Sequence, residues 1–364
     1  MARSRIGTIV RGWLALPVAA VVIVLLPVPA WFIDEYYSRG VYLWLQMAVT
    51  SVSNLVPIAV LDVLIAAAAA LLVFRLVQFA RVTMSRGLFD AVWELTRRTL
   101  RAGAVLVLVF FFAWGCNYRR LPLETAVNST PVVPTVASLQ LAVADANALG
   151  ATLRPLLPSP DAMSYEAAAA ALSAPMQEAL ALVNRAPLAR TGRPKFSLIL
   201  TPFFTWTGVD GMIDPLALES IVHPDLLPIE RPFVLAHEWA HLAGEADEAA
   251  ASAVGWLACM KGGPSLAYSA SLYLILEAGG ALPPAARKQA FARLDPGIRS
   301  DFEQIAKRMQ RQKPQVQRAA FRVYDEYLKA NTVEDGTASY GRALTLILAP
   351  PLREALNQYG KRRP

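Results

Sequence analysis

Residues 232–248 read PFVLAHEWAHLAGEADE. Within this stretch His237 and His241 are four residues apart, so on a helix they share one face, with Cβ atoms about 5–6 Å apart. Two imidazoles in that arrangement can bind one Zn²⁺ ion. Glu238, next to the first histidine, can then take the proton of a zinc-activated water. The spacing predicts a zinc-dependent hydrolase with Glu238 as general base.

The rest of the stretch predicts that this motif lies on a buried helix. Pro232 is typical of a helix start, and Gly244 is typical of a position just past a helix end. Between them every side chain outside the motif is apolar, whereas a surface helix is polar on its other faces. Buried polar groups need partners, and a metal ion supplies one.

A catalytic zinc site needs a third protein ligand and an open position. On a second helix that follows Gly244, Glu248 shares one face with Ser252, Gly255 and Cys259. These small residues would let the two helices approach closely and direct Glu248 at the metal. We expect one zinc ion bound by His237, His241 and Glu248. The alternatives for the third ligand are Asp247, Glu245 and His223.

The composition predicts a membrane protein. Hydrophobic residues make up 55% of the 364 and charged residues only 17%, with a mean hydropathy of +0.37. Three apolar runs, at about 13–33, 54–74 and 102–118, are long enough to predict transmembrane helices. Asp62, inside the second run, is expected to make a polar contact between helices, with a mechanistic role as the alternative.

The charges predict the orientation and exclude one class of partner. Ten arginines and five acids lie in residues 1–118, and the arginines concentrate before the first run and between the second and third. By the positive-inside rule the N-terminus is cytoplasmic and everything after 118 lies outside the cytoplasm. Residues 119–364 are nearly neutral, with 25 bases and 23 acids. A nucleic-acid partner is therefore not expected.

The chain after the membrane domain (1–118) divides into a linker over 119–135 and a domain over 136–364. Alanine-rich and amphipathic stretches predict that this domain is mainly helical. Phe196–Leu200, an apolar run between prolines, predicts a strand. We therefore expect an α+β, mainly helical, zincin-like domain in which the motif helix lies beneath a small sheet. Two cysteines in the whole chain exclude a disulfide-stapled scaffold.

Short strings at residues 117–120, 237–248, 257–259, 327–331 and 339–342, with Gly336 between the last two, together resemble one bacterial membrane-anchored family, domain of unknown function 3810. Its usual acidic cluster after the glycine is kept here only as Glu248, which supports that residue as a ligand. The resemblance implies a gluzincin-type metallopeptidase without an established substrate. The strings are Asn117-Tyr118-Arg119-Arg120, the motif from His237 to Glu248, Leu257-Ala258-Cys259, Tyr327 to Asn331, and Ser339-Tyr340-Gly341-Arg342.

The sequence therefore predicts a multi-pass protein of the bacterial inner membrane whose catalytic domain is periplasmic or extracellular. Its expected activity is zinc-dependent hydrolysis of peptide bonds in an envelope peptide or protein. Tyr340 and Arg342 are candidates for stabilising the oxyanion, with a helix cap and a surface arginine as the alternative. A non-catalytic zinc-binding scaffold and a zinc hydrolase of a non-peptide envelope substrate are the other hypotheses. Charges crowd the motif and exclude a spanning helix there.

Overall fold

The computed structural model describes residues 2–331, 342–350 and 352–361. Over these residues helices predominate and one small sheet is present, which confirms the expected mainly helical α+β composition. The N-terminal part contains α1 (Ala2–Leu25), α2 (Ala30–Phe32), a π-helical turn (Ile33–Val41), α3 (Tyr42–Leu55), α4 (Val60–Arg86), α5 (Leu88–Ala113) and a 3₁₀ turn (Gly115–Arg119).

The remaining helices and strands follow in a nearly continuous series. The elements are α6 (Leu123–Ala126), α7 (Val136–Leu153), α8 (Tyr165–Leu182), β1 (Pro194–Lys195), α9 (Thr201–Thr207), β2 (Gly211–Asp214), β3 (Glu219–Val222), α10 (Arg231–Leu242), α11 (Glu248–Lys261), α12 (Pro264–Ala281), α13 (Pro284–Ala292), α14 (Pro296–Met309), α15 (Pro314–Ala330), α16 (Ala343–Ile347) and α17 (Leu352–Lys361). Six of these helices, α9, α10 and α12–α15, carry a proline at the first or second helical position, where its missing N–H would have no intrahelical partner.

The predicted first span, 13–33, is not one straight helix. α1 ends at Leu25, and the axis bends by 100° before the helical segment from Ala30 to Leu55. Pro27 and Pro29 cause this break because neither has an N–H to continue a helical ladder.

The other two predicted spans also have different bounds. The second begins at Val60 instead of 54, because Pro57 holds Val56 in an extended conformation and ends α3. The third, 102–118, is α-helical only as far as Ala113, where α5 ends, and continues as the 3₁₀ turn from Gly115. α4 and α5 form a hairpin that turns at Gly87, whose φ of +93° is a conformation that glycine adopts readily.

Among the described residues, two helical segments are long and apolar enough to cross a membrane. They are Val60–Arg86 and Val136–Leu156, and the bent pair Gly12–Leu25 with Ala30–Leu55 is a third if it is counted as one span. The segment from Val136 lies in the later domain, where α7 packs against α12. Two or three helices could therefore span a bilayer, and α5 is not one of them by itself.

The sheet has the order β1-β3-β2, with β1 parallel and β2 antiparallel to β3. The prediction of a strand over Phe196–Leu200 is wrong, because β1 ends at Lys195 and the apolar run that follows forms turns. Leu198 in this run is 77% exposed. Asp62 of α4 holds the run, since its carboxylate accepts hydrogen bonds from the Ser197 hydroxyl and from the Leu198 amide at 2.7 Å. The polar contact of Asp62 is thus with a turn and not with another helix.

The motif helix α10 occupies the centre of the later domain. It packs against β2 and β3 on one side and against α8, α11 and α12 on the others. This arrangement agrees with the prediction of a motif helix buried beneath a small sheet. The core includes Trp239 and Trp256, both buried, on the two helices that carry the candidate site.

Candidate metal centre

The turn after α10 directs the chain back towards the motif. Gly244 ends the helix with a φ of +90°, and the amide of Glu245 then donates to the carbonyl of Ala240 at 3.1 Å. This is a left-handed C-cap, for which glycine is strongly favoured. α11 consequently begins at Glu248 and runs alongside α10.

The two helices touch at Gly255. A Cβ atom at this position would lie 2.9 Å from the backbone nitrogen of His237 and 3.1 Å from its Cα atom. Only glycine fits this separation without displacing the neighbouring backbone. The stripe of small residues on α11 therefore does allow the close approach that the sequence predicts.

His237, His241 and Glu248 converge at the resulting contact. The Nε2 atoms of the two histidines lie 3.1 Å apart. The Oε2 atom of Glu248 lies 3.2 Å from Nε2 of His237 and 3.4 Å from Nε2 of His241. Four ligands at about 2.0–2.1 Å from a tetrahedral zinc ion would be about 3.3 Å apart. The buried Oε2 atom accepts no hydrogen bond. Two nitrogens and one carboxylate oxygen at these separations fit a metal ion.

The other polar atoms of the three side chains have partners of their own. Nδ1 of His241 donates to the carbonyl of Glu245 at 2.6 Å, and Nδ1 of His237 lies 3.2 Å from the hydroxyl of Ser252. The Tyr324 hydroxyl donates to Oε1 of Glu248. Such contacts fix the tautomer and orientation of metal ligands, and here they leave both Nε2 atoms and Oε2 directed at one point.

The charges at this point favour a cation. Burial alone would raise the pKa of Glu248, but the histidines beside it hold that pKa well below its usual range. Burial lowers the pKa of His237. Burial would lower the pKa of His241 too, yet the Glu248 carboxylate outweighs it and raises the pKa to about 9. A positive charge, carried by a proton or by a metal ion, is therefore stabilised next to Glu248.

Glu238 lies beside the cluster without joining it. It is 3% exposed, and its Oε2 atom accepts no hydrogen bond. Its Oε1 atom faces Gly211 of β2, where a Cβ would come within 2.6 Å. Burial raises the pKa of this carboxyl to about 8, whereas a nearby cation would favour its ionised form.

The alternative ligands have other contacts. Asp247 caps α11 by accepting from the amide of Ala250 at 2.9 Å, and its carboxylate pairs with Arg342 at 2.5 Å. His223 lies outside the cluster, with Nε2 at 3.0 Å from the Thr205 hydroxyl. Arg342 thus contacts Asp247 and does not line the cavity that opens beside the cluster. Tyr340 lies outside the described residues.

Glu245 belongs to a buried cluster of charges behind the site. Its carboxylate pairs with Arg120 at 3.0 Å and with Arg185 at 2.8 Å, and both arginines also contact Asp34. Arg120 donates in addition to the carbonyl of Gly244 at 3.0 Å. The cluster therefore ties the segment after α5 and the π-helical turn to the chain reversal that brings α11 to α10.

Sequence reasoning missed two of these contributors. Ser252 is predicted only as a small packing residue, although its hydroxyl faces His237. Tyr324 is 76 residues from the carboxylate that it contacts. Nothing in the local sequence of α15 indicates that contact, which depends on how the helices pack.

A cavity of about 690 Å³ opens beside His237, His241 and Glu248, the candidate metal-binding cluster. The four motif and ligand side chains form its polar end, β2 forms one wall, and most of the remaining lining is apolar. The lining includes His237, Glu238, His241, Glu248, residues 211–216, Leu61, Leu106, Val107, Phe110, Trp114, Phe203, Phe204, Phe321, Tyr324 and Tyr327.

Comparison with known proteins gives one match. No curated protein and no solved structure matches the chain. A family model described as "Protein of unknown function (DUF3810)" matches residues 37–348, which is well over half of the chain. The match confirms the resemblance seen in the sequence, and its description carries no activity. The chain belongs to this family of proteins of unknown function.

Proposed function

We propose that the protein is a membrane-anchored zinc metallopeptidase. The observation that carries this proposal is the convergence of two Nε2 atoms and one carboxylate oxygen, on His237, His241 and Glu248, at the polar end of a cavity. Nitrogen and carboxylate ligands in a set of three, with room for a fourth, are typical of catalytic zinc sites. A scaffold would not need the cavity.

The residues around the cluster suit hydrolysis. A zinc ion held there would supply Lewis-acid chemistry, polarising a carbonyl and acidifying water. Glu238 lies one residue from a ligand, inside the cavity and with an unpartnered oxygen. It is placed to accept the proton of the attacking water and to pass it to the leaving amine.

The edge strand β2 favours a peptide over a non-peptide substrate. One side of β2 pairs with β3, while Gly211–Asp214 also line the cavity next to Glu238. Extended peptides commonly bind by adding a strand to such an edge. A peptide bound this way would pair its backbone with the free edge of β2 and run past His237, His241 and Glu248.

The arginine distribution supports a topology with a cytoplasmic N-terminus. The six arginines of the α4–α5 hairpin lie between residues 75 and 101, towards the end of the hairpin that turns at Gly87. By the positive-inside rule that end faces the cytoplasm. The site then lies on the outer side of the bacterial inner membrane, where it would act on envelope peptides or proteins.

Two variants of the full-length chain test the proposal. Glu238→Gln keeps the ligands but removes the proton acceptor, so it should bind zinc normally and lose about 10²–10⁴-fold in turnover. His237→Ala should lose both zinc and activity. Zinc content is measured on purified protein, and activity is measured as new N-termini in the membrane proteome of cells that carry each variant. Glu178→Gln, on an exposed helix face, is the control and should retain both zinc and activity. Wild-type cleavage by Glu238→Gln would reject the mechanism.

A further inference from the structure

The cavity continues from the metal-binding cluster into the apolar half of the α4–α5 hairpin. Leu61 of α4 and Leu106, Val107 and Phe110 of α5 line it. Leu106 lies seven residues before the end of α5 at Ala113, which is about 10 Å along a helix at 1.5 Å per residue. The apolar end of the cavity therefore lies well below the level of the catalytic side chains.

This half of the hairpin is the part suited to hydrocarbon. α4 is long and apolar enough to span a membrane, and few of its residues are buried, although it packs along α5. Because the two helices run antiparallel about Gly87, the uncharged end of α5 (102–113) lies alongside the first turns of α4. Apart from Asp62 in the first turn of α4, the charged residues of both helices lie between residues 75 and 101, towards the turn at Gly87. The apolar end of the cavity is thus at the depth of the bilayer.

Further exposed apolar side chains lie beside the first turn of α4, where Leu61 lines the cavity. Phe196, Leu198, Ile199 and Phe203 are exposed, and Asp62 at the first turn of α4 fixes the turn that carries them. A contiguous apolar surface of this kind marks a contact with a membrane or a partner. Its position at the start of a candidate span favours the membrane.

We infer that the substrate is a polypeptide anchored in the bilayer by an apolar segment, which enters the cavity laterally between α4 and α5 and is cleaved just outside the membrane. The inference rests on the proposed peptidase activity and specifies its substrate class. An apolar segment matches the wall formed by Leu106, Val107 and Phe110. The extended chain that follows matches the edge strand β2. A phospholipid would fill the apolar end but would leave the strand edge without a backbone partner.

Photocrosslinking tests this inference without requiring cleavage. The full chain carrying Glu238→Gln is placed in nanodiscs of phosphatidylethanolamine and phosphatidylglycerol, with p-benzoylphenylalanine in place of Val107. The probe is a synthetic peptide with an apolar leucine–alanine segment of about 20 residues, enough to span the bilayer, followed by a polar tail. Val105 provides the matched control, since it lies on the same helix at similar exposure but does not line the cavity.

The expected result is a peptide adduct several-fold more abundant from position 107 than from position 105. Excess peptide without the photoreactive group should suppress it, and the polar tail alone should not. The same photoreactive residue in place of Leu106, which also lines the cavity, provides a second position in case the variant at 107 does not fold. Equal adducts from 105 and 107, suppression by the tail alone, or a phospholipid adduct from 107 in the presence of the peptide would overturn the inference. Because binding is measured in the inactive variant, this outcome is separate from failure of the proposed hydrolysis.

Discussion

Replacing Gly255 by alanine tests whether the close approach of α10 and α11 builds the metal-binding cluster. The added Cβ would lie 2.9 Å from the His237 nitrogen, about 0.5 Å inside ordinary contact. The neighbouring atoms are backbone, so they cannot rotate away. Overpacking of this kind costs about 1–3 kcal/mol of unfolding free energy. An alanine in a helix recovers up to about 1 kcal/mol relative to glycine.

Gly280→Ala is the matched control. Gly280 lies in α12, is exposed, and an added Cβ there would meet nothing within 4 Å. Gly280 is the second-last residue of α12, so its gain in helix propensity does not exceed that of Gly255, and a lower stability of Gly255→Ala therefore reports the overpacking. We expect Gly255→Ala to be less stable than Gly280→Ala by about 1–3 kcal/mol, measured by denaturant unfolding of the full chain in detergent with a chelator present.

Zinc affinity gives the second measurement on the same pair. Relief of the clash moves His237 away from Glu248 by a few tenths of an ångström, whereas metal–ligand distances tolerate about 0.2 Å. We expect a loss of about 10–100-fold in affinity for Gly255→Ala, the range seen when the support of a ligand is disturbed. Competition against a chromophoric chelator measures it. Equal stability and equal affinity of the two alanine variants would refute the reasoning.

Two further substitutions address the surroundings of the cluster. Tyr324→Phe removes the hydroxyl that holds Glu248 and should lower zinc affinity by about 10–100-fold. Tyr327→Phe, one turn further along α15, is the control and should leave zinc affinity unchanged. Equal losses of affinity in the two variants would contradict a specific role for Tyr324. Glu245→Gln leaves two buried arginines with one acid fewer and should cost about 3–5 kcal/mol of unfolding free energy. The exposed Glu178→Gln should stay within about 0.5 kcal/mol, and similar stability of these two variants would show that the buried charges do not act as a network.

The motif helices were predictable because their determinants are local. Proline and glycine mark the ends of α10, the i, i+4 spacing places the histidines, and the small residues of α11 set the helix separation. Each of these signals acts over fewer than about four turns. The sequence therefore predicts Glu248 next to His237 and His241, although these residues lie on two helices.

The misjudged elements depend on surroundings that the local sequence does not contain. Phe196–Leu200 is apolar like a buried strand, but three of its apolar side chains, Phe196, Leu198 and Ile199, are exposed, and Asp62 of α4 holds its backbone. Pro27 and Pro29 do indicate the bend after α1, but the length of the apolar run over 13–33 favoured the prediction of one straight span. The contact of Tyr324 with Glu248 required the position of α15, which only the tertiary fold provides.

The site cannot be separated from the N-terminal part of the chain. The Tyr42 hydroxyl of α3 donates to the carbonyl of Leu242 at 2.9 Å, and the Trp114 indole donates to that of His241 at 3.4 Å. Asp34 reaches the chain reversal after the motif through the buried arginines. Buried polar groups that lose such partners destabilise a fold. The helical segments before residue 119, which include candidate membrane-spanning ones, thus also hold the carbonyl end of the motif helix, so that the N-terminal part of the chain and the candidate metal-binding cluster form one packed unit.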